Sequence, residues 1–140
     1  MRADHRGFTL VELLVVVLII GILAVIALPA FLAQRAKGQD TRAKAFARQA
    51  QAAMETHWQA NNTYVGASLV ALRAVEPSLA AATGGPTFIT PDQLSTTAYR
   101  LRVDSATSNR FTITRAASGA VTRICTRVKP SGGCRTSLRW

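Results

Sequence analysis

Apolar side chains are spread very unevenly along this chain. Residues 13–28 contain no charged or strongly polar side chain, and across residues 8–33 only Thr9 and Glu12 interrupt the apolar run. At about 1.5 Å per residue, a helix over 8–33 is roughly 39 Å long, enough to cross a hydrocarbon layer of about 30 Å with some tilt. A single membrane-spanning helix is therefore predicted; the buried helix of a soluble core would need a shorter run. From Gln34 the composition turns rich in alanine and charge. Ala43, Ala47, Ala50, Met54 and His57 or Trp58 recur at helical spacing, with Arg42, Lys44, Arg48 and Gln49 largely elsewhere. Residues 34–60 are thus expected to continue the helix in amphipathic form, and Asn61-Asn62-Thr63 supplies the polar stop.

Residues 61–140 read as a small head. A short helix is predicted over 69–82, with Pro77 as a breaker, and Thr83-Gly84-Gly85-Pro86 ends it. Three strands follow, over 98–103, 110–115 and 121–128. In the first, Tyr99, Leu101 and Val103 alternate with Arg100 and Arg102, and Phe111 and Ile113 repeat the rule in the second. The connections are short enough for an antiparallel meander. About 80 residues are few for a free-standing core, so the sheet's apolar face is expected to cover the stripe of the long helix. The predicted fold is α+β: a long N-terminal helix, its first half membrane-spanning and its second amphipathic, packed on a small antiparallel β-meander head.

The charged residues 1–7 precede the apolar run directly. A secretory signal peptide places its apolar region before the cut and loses it, whereas a cut after Gly7 would leave that region on the mature chain. The pattern Gly7-Phe8-Thr9-Leu10-Val11-Glu12, with the run behind it, resembles the N-terminal signature of type IV prepilins and the related pseudopilins of type II secretion and competence systems. In that family a membrane peptidase cuts after the glycine and methylates the new terminal amine. By this resemblance Gly7 is the last leader residue, Phe8 the methylated mature terminus and Glu12 the fifth mature residue. The resemblance covers about the first third of the chain. It implies a processing peptidase and methyltransferase, an inner-membrane assembly platform, and other pilin subunits as partners.

Glu12 can also be read from its chemistry. An ionisable group in a membrane helix costs up to about 3 kcal/mol at the centre, less near an end, and is usually paired. A cut after Gly7 creates a partner, the Phe8 amine, about 6 Å away on its own helix. Glu12 would then reach the Phe8 amine of a staggered neighbouring subunit and set the register of a filament. The plainer alternative is that Glu12 reaches the headgroups or favours the helix N-terminus, where negative charge suits the macrodipole. Gly21 and Pro29 both weaken the apolar helix, and a kink is expected near Pro29. By the resemblance, the stretch between them can extend when a subunit enters the filament; a static kink is the alternative.

Cys125 and Cys134 are the only cysteines. A disulfide between them would tie the tail to the last strand, stabilise the head by roughly 2–3 kcal/mol and imply an oxidising exterior. Two buried thiols or half a metal site are the alternatives, though only His57 could add a ligand. Type IV pilins often carry such a loop, while major pseudopilins commonly use a calcium loop, for which Asp104 alone is insufficient. No metal and no cofactor are expected.

The formal charge of +10 is concentrated late: nine basic residues from Ala98 onward face Asp104 alone. Arg100, Arg102, Arg123, Arg127, Arg135 and Arg139, with Trp140 at the end, form a candidate surface for DNA or other polyanions. A solubilising face, or one that pairs with acidic patches on neighbouring subunits, is the alternative. No phosphate-binding loop, metalloprotease helix, nucleophile elbow or paired carboxylates appear among seven acids, so the chain is not read as an enzyme. Basic residues flank the span on both sides and leave orientation open. The leader and the disulfide favour a cytoplasmic N-terminus and an extracytoplasmic head. The chain then divides into a leader (1–7), a membrane and filament-core helix (8–33), an amphipathic continuation (34–60) and a head (61–140). The leading expectation is a subunit of a surface type IV pilus. A periplasmic pseudopilin, a DNA-capturing minor pilin and a plain single-pass membrane protein stand behind it.

Overall fold

The computed structural model describes residues 8–80, 85–127, 132–134 and 139–140, with only the backbone of 88–90. Helix α1 spans Leu10–Asn61. It begins in a capping arrangement: the Glu12 amide donates to Thr9 Oγ1 at 3.2 Å, and the Leu13 amide to the Thr9 carbonyl. The first bond satisfies a donor of the first turn that would otherwise be unpaired, and the second is the first regular bond of the helix. The helix ends where polar residues take over. Asn61 Nδ2 donates to the His57 carbonyl, and Asn62 adopts a left-handed φ of 54°, a conformation asparagine tolerates at helix ends.

The chain separates into two compact units, residues 1–34 and residues 35–140. In the described part of the first, the large apolar side chains are exposed within the chain, from Val16 at 43% to Leu10 at 79%. The helix runs through Gly21 and Pro29 without interruption.

The second unit is α+β. After α1 comes helix α2, Leu69–Val75, capped by Ser68 Oγ accepting from the Ala71 amide. Pro77 starts a separate 3-10 turn, Pro77–Leu79, so the 69–82 helix expected from sequence is two shorter pieces within the described residues. Four strands follow: β1 Thr87–Asp92, β2 Tyr99–Asp104, β3 Arg110–Arg115 and β4 Val121–Thr126. They form an antiparallel meander in sequence order.

Three strands were expected and four are present among the described residues. β1 carries Pro91 near its end, where the pairing with β2 slips between Ile89 and Asp92. A proline is tolerated at such an irregularity on an edge strand, and it hides the strand from a reading by pattern. β2 is shifted by one residue from the expected 98–103. β4 ends at Thr126, and Val128 lies outside the described residues.

On one sheet face Tyr99, Leu101, Val103, Phe111, Ile113 and Cys125 are buried, and they share a core with Ala43, Ala47, Ala50 and Met54 of α1. Phe46 and Ala53 widen the stripe, whereas Trp58 lies at its margin, donating Nε1–H to the Thr96 carbonyl. Each fully buried large apolar side chain contributes about 1.5–3 kcal/mol. The helix stripe and the sheet therefore stabilise one another.

Candidate functional site

Two sets of residues carry candidate function, and they are built differently. The first is the N-terminal turn of α1. Phe8 is 76% exposed and directly precedes Thr9, the cap residue. Glu12 lies at the third helical position, the only charged residue across 8–34. The Thr9-x-x-Glu12 spacing is that of a capping box, a signal the sequence offered and the reading above did not use. It gives Glu12 a local setting at the positive end of the helix dipole. Gly7 lies outside the described residues. Gly21 and Pro29 lie on the same exposed helix, and a Cβ added at Gly21 would meet nothing within 4 Å.

The second set holds the head together. Asp40 is fully buried on α1 and accepts hydrogen bonds from Thr107 Oγ1, Asn109 Nδ2 and the Gly133 amide. Burial raises its pKa, but bonds from Thr107, Asn109, Ser105 and Gly133 outweigh burial and hold the carboxyl below its ordinary value. One carboxylate thus joins the long helix to the β2–β3 turn and to the segment before Cys134. Gly132 has φ 145°, and a Cβ there would collide with Asp40 Oδ2 and approach Asn109 Nδ2 to 2.7 Å. Lys44 reinforces the same segment, donating to the Gly133 carbonyl at 2.7 Å. Sequence reasoning missed this node, because Asp40 resembles any other charge in a charged stretch.

Cys125 and Cys134 form a disulfide, with Cα atoms 5.8 Å apart. Gly133, next to Cys134, is the residue that Asp40 and Lys44 bond. A second node lies further along α1. Glu55 accepts from Tyr64 Oη at 2.8 Å and Tyr99 Oη at 3.0 Å, with Arg115 Nη1 at 3.6 Å. Burial, then the Glu55 hydrogen bond, pushes the Tyr64 hydroxyl pKa up to about 12. Burial and the Glu55 charge raise that of Tyr99 further. Both phenols stay protonated as donors to Glu55.

The candidate basic surface is less unified than the sequence suggests. Arg100 and Arg102 point away from the helix and share Asp92, at 2.8 and 2.6 Å. The Arg100 hydrogen bond is the main reason the Asp92 carboxyl titrates below its usual range. Arg110 is similarly paired to Asp104 at 2.7 Å. Arg123 lies on the opposite sheet face and donates to Gln51 of α1 at 2.9 Å. Arg127 and Arg139 are exposed, and Arg135 lies outside the described residues. Trp140 is held inward: its Nε1–H donates to the Ile124 carbonyl and its ring meets Phe111 edge-on at 5.6 Å.

A model of the prokaryotic N-terminal methylation motif matches residues 2–28, the stretch that includes the Gly7–Phe8 junction and Glu12. The "Fimbrial protein" of Neisseria meningitidis serogroup A is 38% identical over 72 residues, covering 47% of this chain and 42% of that protein. The "Type IV wide pilus major component PilA4" of Thermus thermophilus is 41% identical over 71 residues, covering 49% of this chain and 54% of that one. These matches support a type IV pilin assignment, carried by the N-terminal half of the chain. The "Type IV major pilin protein PilA" of Myxococcus xanthus shares 55% identity over 40 residues, 29% of this chain and 18% of that protein. The match spans about half or less of the length of these curated relatives, so the family likeness is carried by only part of each chain. No solved structure matches this chain. The N-terminal methylation signature and a helix that, among the described residues, is long and apolar enough to cross a membrane fit membrane anchoring and a pilus.

Proposed function

We propose that this protein is a type IV pilin, a structural subunit of a type IV pilus. A peptidase cuts after Gly7 and methylates Phe8, and the subunit waits in the cytoplasmic membrane with its head outside. An assembly platform then draws it into a helical filament, where the apolar helices of many subunits pack together. The observation that carries the reading is the exposed apolar helix with Glu12 as its one charge, one turn from the Phe8 junction. Residues 8–33 bury nothing within the chain, and lipid first, then neighbouring helices, supply the missing contacts. Glu12 meets the Phe8 amine of a neighbour and fixes the axial register. The stretch between Gly21 and Pro29 is continuous helix in the single chain, and its extension belongs to the assembled state.

The geometry gives less support to a DNA-capturing head. Arg100, Arg102 and Arg110 are engaged by Asp92 and Asp104, and Arg123 lies on the other face. A periplasmic pseudopilin shares the N-terminal chemistry, but the cysteine-closed loop favours a pilus.

The test is Glu12→Ala in the native host. Normal processing with loss of subunits from the sheared surface fraction is expected. Wild-type filament yield from that variant would remove the register role.

A further inference from the structure

The second unit contains a cleft of about 350 Å³ whose floor is one stripe of α1. Arg35, Gly38, Gln39 and Arg42 fall at i, i+3, i+4 and i+7 and so share a helix face. Gly85 and Pro86 line it as well, and Ala106 of the β2–β3 turn completes it. The volume is in the range of small-ligand sites. Ala106 is held in place by its neighbour Thr107, which donates to buried Asp40.

The electrostatics are one-sided. Arg35 and Arg42 are exposed, and neither makes an ion pair among the described residues. Lys37 and Lys44 add positive charge on the same stretch of helix. Asp40, the one carboxylate on that stretch of helix, turns its oxygens to Thr107, Asn109 and Gly133, and Asp104, two residues before Ala106, is paired with Arg110. Gly38 leaves the middle of the stripe without a side chain, and a Cβ there would meet nothing within 4 Å. Two guanidinium groups flanking an open space, with the Gln39 amide beside them, suit the oxygens of a phosphate group.

We propose that this cleft binds a phosphate-bearing anion, its phosphate held between Arg35 and Arg42 over Gly38. Arg35 follows Ala33, the last residue of the apolar run, by two positions. On the membrane-anchored reading, that spacing puts the cleft at headgroup depth, where an anionic phospholipid is the source and juxtamembrane cations are favoured. Free phosphate shares the chemistry and does not depend on that reading.

The experiment uses the full chain in neutral detergent. Dioctanoyl phosphatidylglycerol, dioctanoyl phosphatidylcholine and inorganic phosphate are each titrated and read by calorimetry and native mass spectrometry. Phosphatidylglycerol is expected to bind one per chain and more tightly than phosphatidylcholine. Arg35→Gln combined with Arg42→Gln should weaken it at least about ten-fold. Gly38→Leu should weaken it similarly while keeping both arginines, since a Cβ there meets nothing within 4 Å, the longer side chain occupies cleft space, and helix propensity improves. Inorganic phosphate that binds as tightly as phosphatidylglycerol, with the same dependence on the variants, would keep the cleft and assign it to the free anion. Wild-type affinity in Gly38→Leu would show diffuse attraction to surface charge and overturn the proposal, as would absence of binding by either anion. Failure of the anchored reading is visible separately, as recovery of the protein in the soluble fraction of cells, and it leaves the phosphate titration unaffected.

Discussion

The two units of this chain use apolar side chains in opposite ways. In the second, Leu101, Val103, Phe111 and Ile113 are wholly removed from solvent by the sheet and by the alanine stripe of α1. In the first, residues as apolar as Leu10, Leu18 and Ile26 remain 58% or more exposed. At roughly 25 cal/mol per Å² of apolar surface, a bare aliphatic helix of that length is strongly unfavourable in water. A head that completes its own core can pass between environments, whereas a helix that completes nothing must always have partners. That division suits a subunit that moves from lipid into a polymer.

Charging the helix gives the largest effect. Leu18→Arg should cost about 3 kcal/mol of membrane insertion. Carbonate extraction should then release the protein while the thermal melt of the head stays unchanged; a head that melts earlier would show that the units are not independent. Removing the disulfide with Cys125→Ser and Cys134→Ser should cost the head about 3 kcal/mol in denaturant unfolding and leave membrane retention intact.

Asp40→Asn comes next, at about 2 kcal/mol, because a buried acceptor is replaced by an amide facing three donors. The carboxyl is held below its ordinary value of 3.8, so the folded state binds fewer protons than the unfolded one. Its contribution is fully present above about pH 5 and is lost as pH falls through 3.8 and below. Unfolding measured from pH 6 to pH 3 should show a steeper acid loss in the wild type than in the variant; equal slopes would contradict the assignment. The smallest change is expected from Arg110→Gln. Its partly exposed pair with Asp104 is worth under about 1 kcal/mol, and a larger shift in midpoint would mean the sheet's outer face is more than a solvated surface.

What was legible in the sequence follows the same division. The apolar run, the cleavage-like junction and the helix stop at Asn61 depend on local pattern, and residues 8–61 could be read in order. β2 and β3 were visible from alternation. β1 was not, since Pro91 breaks its pattern and only pairing with β2 makes 87–92 a strand. The Asp40 node was invisible for another reason. Its partners lie 67, 69 and 93 residues away, and nothing local distinguishes a carboxylate that will be buried from one that will be solvated. The basic surface was overcounted, because the sequence shows how many arginines there are and not that Asp92 and Asp104 hold three of them.

The most direct test is intact-mass and N-terminal peptide mass spectrometry of the protein from membranes and from sheared surface material of its native host. The filament account predicts a chain beginning at methylated Phe8, present in both fractions. A chain still beginning at Met1 and confined to the membrane would contradict it.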